Sequence, residues 1–600
     1  MIRPTSLMLC FVLLVAVLAT GCGPSEQAIA TRVAAEQTAA AAAWTLTPTM
    51  TSTATPMPTV TATATATRTP TPTATAKPTA TPPRITTPVS QRPTATPVAT
   101  PIARAQRLVL LSSESSNPRE YDPATTHGIG DELVFSGLVS LDPQLKLIPD
   151  LAEAWQTDDG VTYTFRLRRN ARFHNGRPVI AQDFIYSWER AANSKTKSDT
   201  VLTYLGDIVG VKEMRAGKAD HIAGIEALDD YTLQVTIDAP KPYFLLKLTY
   251  PTAYVLDREN VESGADWYRT PNGTGPYRLI RWERMRQVTY ERNDNFYLAP
   301  PAIQYVTVNL SGTGVRLYET GSIDIASVGR YDLARVLDPQ NPLNPDLRFT
   351  PNLCTSYVTF DVKQPPFDDL KVRQAFGLAF HRQQYIEVVL RGIGLPAKGV
   401  LPPGMPGYNL DLKGLAFDPA RARQLLAESK YGGGRLPPLV YTTSGSGSDV
   451  GATIAAQIQM WQQTLGVQIT VENLEPDRYS DELAAGRHGQ IIGKGWCADY
   501  PDTENFLDAL FHTGAEQNQG HYSNPQVDAL LEQARIELDV AKRIRLYQQV
   551  EPIIVNDVPA VFTVHSVTYR LVKPHIQGYV LTPMSIPITR YLRIDASKIK

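Results

Sequence analysis

The segment Lys494-Gly-Trp-Cys-Ala-Asp-Tyr-Pro-Asp502 gathers more chemically able side chains than any other stretch of this 600-residue chain. Trp496, Cys497 and Asp499 lie within four residues, a spacing that can set a rigid aromatic wall beside a fixed carboxylate. That pairing suits a cationic group such as an ammonium, by charge pairing and by attraction to the ring face. The plain alternative is a core tryptophan and an aspartate capping the next helix, and the pattern alone favours neither. Reactive constellations are missing elsewhere. The nine histidines, at 127, 174, 221, 381, 488, 512, 521, 565 and 575, include no two at metal-ligand spacing. No Gly-x-Ser-x-Gly nucleophile elbow occurs. Gly445-Ser-Gly-Ser-Asp-Val-Gly451 sits between a strand and a helix like a phosphate loop, but its last glycine is one position too far and the Walker lysine is absent. Asn272-Gly273-Thr274 matches a glycosylation sequon, yet beside Gly275-Pro276 it reads as a turn. The expectation is a binding protein, not an enzyme, with no metal and no cofactor.

The elements around the segment decide where it lies. A strand over 490–492 and a helix over 503–511 place it at the C-terminal edge of a sheet, where α/β proteins put ligands. Before residue 354 the chain alternates short strands (107–112, 163–167, 231–237, 277–281, 303–309) with irregular helices such as 183–192, which an acidic cap opens. After it the helices lengthen. Helices are expected over 369–380, from Asp418-Pro419 to 428, over 450–465 up to Gly466, and from Asn524-Pro525 to 538. Strands over 439–442 and 467–471 between them favour a partly parallel sheet. The fold class is therefore mixed α/β, an α+β first part followed by an α/β second.

The first 105 residues stand apart. Residues 45–101 hold 22 Thr and 12 Pro in 57 positions, without an acidic or aromatic side chain. Such a segment cannot bury enough apolar surface to offset its ordering entropy, so it reads as an extended stalk. The remaining residues carry 48 of the 50 aromatics and 51 basic against 57 acidic side chains. That mild acidity, without a basic run, argues against nucleic-acid binding. Arg3 followed by an apolar run over 7–19 has the form of a secretory signal. Its end, Ala19-Thr20-Gly21-Cys22, resembles the lipobox of bacterial lipoproteins, which implies lipidation of Cys22 and a membrane-anchored, exported chain. Cys10 then leaves with the signal, and Cys354 and Cys497 remain. In an oxidising compartment they read as one disulfide, with two buried free thiols as the alternative.

From residue 117 onward the chain resembles the extracellular solute-binding proteins of ABC importers, family 5, and among them the oligopeptide-binding proteins. The residues that carry this are Tyr121-Asp-Pro123, Pro149-Asp-Leu-Ala-Glu-Ala-Trp155, Phe173-His-Asn-Gly-Arg-Pro178 with Ala181-Gln-Asp-Phe-Ile-Tyr-Ser-Trp188, and Gly273-Thr-Gly-Pro-Tyr277. Pro365-Pro-Phe-Asp-Asp369, Trp496-Cys-Ala-Asp-Tyr500 and Arg570-Leu-Val-Lys-Pro574 follow in the same order. The resemblance implies a two-lobed clamshell, a disulfide between Cys354 and Cys497, Asp499 pairing with a peptide's α-ammonium, and Trp496 as the wall beside it. It also implies a permease partner and a peptide or similar amine-bearing solute, bound by a monomer. The expected organisation is signal 1–22, stalk region 23–105, first lobe 106–353 with an inserted subdomain at about 143–250, second lobe 354–567, and a return to the first lobe over 568–600. Three positions depart from the family pattern: Gly493 replaces an arginine, Glu475-Pro-Asp-Arg478 replaces a Trp-Lys pair, and Val564-His565-Ser566 replaces an aromatic run. The resemblance therefore assigns no contacts to a ligand's backbone or C-terminal carboxylate.

Overall fold

The computed structural model describes residues 103–112, 121–125, 131–445 and 450–599. The signal-like N-terminus, Cys22, the Ala-rich and Thr/Pro segments, and the centre of the 445–451 loop lie outside them.

Three sheets organise the described residues. In the first, Arg107–Leu111 pairs in parallel with Tyr305–Asn309, and the antiparallel strands Gln287–Arg292 and Tyr277–Glu283 continue it. Leu108, Tyr277, Val288, Tyr290 and Val306 bury its inner face. The second is antiparallel, in the order Ala152–Gln156, Thr162–Leu167, Thr232–Thr236, Ile225–Asp229. The helix Ala181–Ala192 packs Phe184, Trp188 and Ala191 into one core with Phe165 and Leu233 of this sheet.

Two of the motif blocks meet here for a structural reason. His174 N–H donates to the Gly273 carbonyl at 2.8 Å, and Gly275 N–H donates to the Val134 carbonyl at 2.7 Å. A Cβ on Gly273 would lie 1.9 Å from the Val134 carbonyl oxygen, so only glycine admits this approach. Arg177 then bridges Asp183 at 3.0 Å and Asp257 at 2.8 Å.

The third sheet has seven strands, and its main path runs Ile325–Ser327, Ala560–Val572, Leu347–Phe360, Ile491–Cys497, Leu439–Ser444, Ile469–Leu474. Leu439–Ser444 is parallel to both of its neighbours, as strand-helix-strand succession requires. One face buries Phe360, Phe376 and Trp461, and the other buries Tyr357, Phe506 and Phe562. The boundary positions 354 and 567 fall inside its two longest strands, Leu347–Phe360 and Ala560–Val572, which pair with each other. Val567, Tyr569 and Leu571 belong to one core while Val561 belongs to another, so the chain passes between cores without leaving the sheet.

Local rules hold at several of the expected helix ends. Asp418 accepts from Arg421 N–H at 2.9 Å, Asn524 accepts from Gln526 N–H at 2.9 Å, and Gly466 closes Ala452–Leu465 at φ 70°. Two expectations need correction. The helix expected at 183 begins at Ala181, and Asp183 is not its cap: it reaches back from the third position to accept Ile180 N–H at 2.9 Å. The strand expected over 490–492 runs on to Cys497, because pairing with Leu347–Phe360 continues there. The helix Val540–Asp557 was not anticipated, since Pro552 interrupts a pattern that normally ends at proline.

That helix buries Glu551 to 1 % exposure, where it accepts Leu401 N–H at 2.9 Å and, among the described residues, has no cation at ion-pair distance. Burial pushes its carboxyl up to about 7, from 4.5 when exposed. Between those values only the folded chain holds the proton, so this group's contribution is present at low pH and is lost as pH rises through about 7, amounting to about 3 kcal/mol. His565, buried and held down to about 3, slopes the other way: its contribution is lost as pH falls below 6.5. Urea-melt stability of Glu551→Gln should therefore decline less than that of the parent between pH 5 and pH 8. Superimposable pH profiles would count against this account.

Candidate functional site

Asp499 lies just beyond the strand Ile491–Cys497, in the turn that leads to the helix Glu504–Phe511. Cross-strand pairing sets Trp496 opposite Thr355 and Cys497 opposite Cys354, and a disulfide joins the two cysteines. The sheet therefore holds the start of the turn by hydrogen bonds and by a covalent link.

Asn505, fully buried in the first turn of that helix, ties the pieces together. Its Oδ1 accepts from Trp496 Nε1 at 3.2 Å and from the Asp499 backbone N–H at 3.0 Å, while its Nδ2 donates to Asp499 Oδ2 at 3.3 Å. One amide thus orients both the ring and the carboxylate. From the first half of the chain, the Tyr204 phenol comes close enough to the Asp499 carboxylate to feel its charge. Its ring is stacked on Tyr250 at 3.6 Å and meets Tyr500 edge-on. Burial first, and then the Asp499 charge, drive the Tyr204 phenol far above its ordinary value, so it stays a donor. Asp499 keeps partial solvent contact.

Beneath this turn lies a layer of paired charges. Lys247 Nζ reaches Asp207 at 2.9 Å and Glu504 at 4.0 Å, Lys241 holds the second Asp207 oxygen at 2.6 Å, Arg543 pairs with Asp502, and Arg535 grips Asp508 at 2.6 Å. Tyr500 donates to Glu504. Burial pushes the Glu504 carboxyl up, against the pull of Lys247. Two of these contacts join residues 207–247 to residues 502–543: Lys247 to Glu504 at 4.0 Å, and the Arg543 guanidinium over the Tyr243 ring at 5.5 Å.

The glycine face of the same strand floors a cavity of about 570 Å³. Gly493 and Gly495, two apart, point the same way, and Ser356, Tyr441, Tyr385 and Arg330 contribute to its wall. A Cβ on Gly493 would lie 2.4 Å from the Tyr441 hydroxyl, so any side chain there would intrude on the cavity. His565, by contrast, is buried, with Nδ1 2.8 Å from the Thr355 hydroxyl.

The structure brings Trp496, Asp499, Cys354 and Cys497 together; Cys22 lies outside the described residues. Sequence reasoning missed Tyr204, Tyr250 and Asn505. Tyr204 ends a four-residue helix in a different sheet's neighbourhood, with no spacing that relates it to Asp499, and Asn505 reads as an ordinary helix residue. Gly493, noted only as a departure, proved to be a floor residue of the cavity.

Comparison with known proteins gives one consistent result. The family described as bacterial extracellular solute-binding proteins, family 5 Middle, matches residues 146–518. The probable deoxycholate-binding periplasmic protein YgiS of Escherichia coli is 30% identical over 519 residues, covering 83% of this chain and 95% of that protein. The periplasmic oligopeptide-binding protein OppA of Salmonella typhimurium is 30% identical over 507 residues, covering 81% and 92%. The solved structure of the Escherichia coli murein tripeptide binding protein MppA superimposes with a TM-score of 0.71 at 28% identity, covering 82% of this chain and 99% of that one.

Proposed function

Since the chain belongs to the bacterial extracellular solute-binding proteins, family 5, we propose that it captures peptides by their free N-terminal ammonium and hands them to the permease of an ABC importer. The carrying observation is the Asp499 carboxylate, held by Asn505 beside the Trp496 ring. A carboxylate so held meets an ammonium without paying for its own ordering, and the ring adds attraction to the same charge.

In this reading residues 106–353 with 568–600 form one lobe, residues 354–567 form the other, and ligand contacts with both favour a closed state. Tyr204 and Asp499 come from opposite sides of that division. The protein acts as a monomer, lipidated at Cys22 and tethered by the Thr/Pro stalk. Tethering raises its effective concentration at the permease.

A second reading rests on the YgiS relative, whose described ligand is not a peptide. Native mass spectrometry of the purified protein separates the two. A co-purified peptide with a free amine is expected, and a bound solute without an amine would reject the ammonium assignment.

A further inference from the structure

The order of the first sheet sets Tyr277–Glu283 at an open edge, joined to Gln287–Arg292 by the short turn Arg284-Met285-Arg286. Leu279 and Trp282 pack against the core beneath, where Trp282 meets Tyr121 edge-on at 5.2 Å. The register is irregular between Leu279 and Arg281, and Ile280 is left facing out at 49 % exposure. The inward residues anchor the hairpin, so packing does not set what its outer side carries.

That outer side combines uncompensated positive charge with an apolar apex. Residues 278–286 hold four arginines against one glutamate, in a folded region that is otherwise in acidic excess. Arg278 is answered by Glu291 at 2.9 Å, but Arg281 and Arg286 share the single Glu283 carboxylate, and Arg284 stands exposed between them. Met285 occupies the centre of the turn at φ 60°, a left-handed position where glycine or asparagine is the ordinary choice, and it is 60 % exposed. Arginine along an open edge strand guards it against pairing with another strand. That role covers Arg278 and Arg281, but not Arg284, Met285 and Arg286, which lie beyond the ladder. Guanidinium forks pair with headgroup phosphates, their stems lie along apolar surface, and an apolar apex between them leaves water at the acyl boundary. An acidic protein face would answer the charges alone, whereas charges and apex together match a headgroup layer over hydrocarbon.

We propose that residues 280–286 dock on the anionic surface of a membrane, with Arg281, Arg284 and Arg286 at lipid phosphates and Met285 and Ile280 at the edge of the hydrocarbon. The proposal is independent of the peptide reading above. A tether at Cys22 would hold the hairpin at high local concentration against the bilayer, so a contact that is weak by itself suffices to orient the receptor there.

The test is co-sedimentation of residues 23–600, which keep every described residue and carry no acyl group, with vesicles of phosphatidylcholine alone and of phosphatidylcholine with about one third phosphatidylglycerol. The parent should bind the anionic vesicles about tenfold or more tightly than the neutral ones at low salt, and the preference should fall as salt is raised. Arg281→Gln with Arg284→Gln and Arg286→Gln should erase that preference, and Met285→Ser should weaken binding to anionic vesicles about threefold. A matched variant, Arg421→Gln with Arg423→Gln and Arg487→Gln, removes the same charge from exposed positions elsewhere and should leave the preference within about twofold. Each variant is first matched to the parent's urea midpoint, so that a loss of binding is not a loss of fold. Equal binding of both vesicle types by the parent overturns the proposal, as does a preference that survives the hairpin substitutions or falls equally with the matched ones. Peptide uptake by cells that slows in the hairpin variant, without a vesicle preference in the parent, also overturns it and assigns the surface to the permease.

Discussion

Asp499→Asn should weaken binding of peptides with a free N-terminus about 30- to 150-fold, the equivalent of about 2–3 kcal/mol. The substitution keeps the shape of the side chain and removes the charge, so it tests the ion pair and not the packing. Asn505 Nδ2 donates to the native carboxylate, and the Tyr204 phenol feels its charge; an amide in its place keeps one oxygen and loses the charge. N-acetylated peptides, which bring no ammonium, should lose little between parent and variant. Asn505→Ala is expected to cost part of the same affinity, since it frees the Trp496 ring and the Asp499 turn together. Isothermal titration with matched free and acetylated peptides is the measurement. If the parent binds both forms equally, Asp499 does not read the ammonium.

Replacing both cysteines, Cys354→Ser with Cys497→Ser, should lower the stability of the folded chain by about 2–5 kcal/mol. The disulfide closes a loop of 143 residues, and chain-entropy reasoning for that length places the gain toward the upper end of the range. It joins directly opposed residues of two hydrogen-bonded strands, so its loss also loosens the strand that carries Trp496 into the Asp499 turn. Urea denaturation under non-reducing conditions should show the midpoint fall. A double variant within about 0.5 kcal/mol of the parent would mean that the sheet holds this turn without help from the covalent link. The two predictions are separable, because Asp499→Asn leaves the disulfide loop intact and should change ligand affinity with little change in the urea midpoint.

Much of the site was legible because its residues are close in sequence. Trp496, Cys497 and Asp499 set a ring and a carboxylate close in sequence, with a core tryptophan and a capping aspartate as the even alternative, and cysteine arithmetic left Cys354 to pair with Cys497. Helix starts at Asp418, Asn524 and Asp369 were legible for the same reason, since a side chain capping a backbone N–H two or three residues on is a local event. The extent of the Ile491–Cys497 strand was not, because strand length is set by the partner. Gly493, Lys494 and Gly495 look like loop residues until Leu347–Phe360 pairs alongside them. The helix through Pro552 escaped for a related reason: packing against Glu504–Phe511 and Pro525–Ile536 sustains it across a residue that local rules treat as a stop.

The amino-acid sequence by itself determined the chain's class, its separation into a Thr/Pro stretch and an aromatic-rich remainder, and the short motif on which the site is built. These depend on composition and on neighbours a few residues apart. Only the tertiary structure decided how Asp499 is oriented, by setting Tyr204 and Asn505 against it, and that Gly493 floors a cavity with Arg330 and Tyr385 in its wall. Those arrangements join residues from distant parts of the chain, and no periodicity or spacing encodes a contact that exists only after separate sheets and helices have packed.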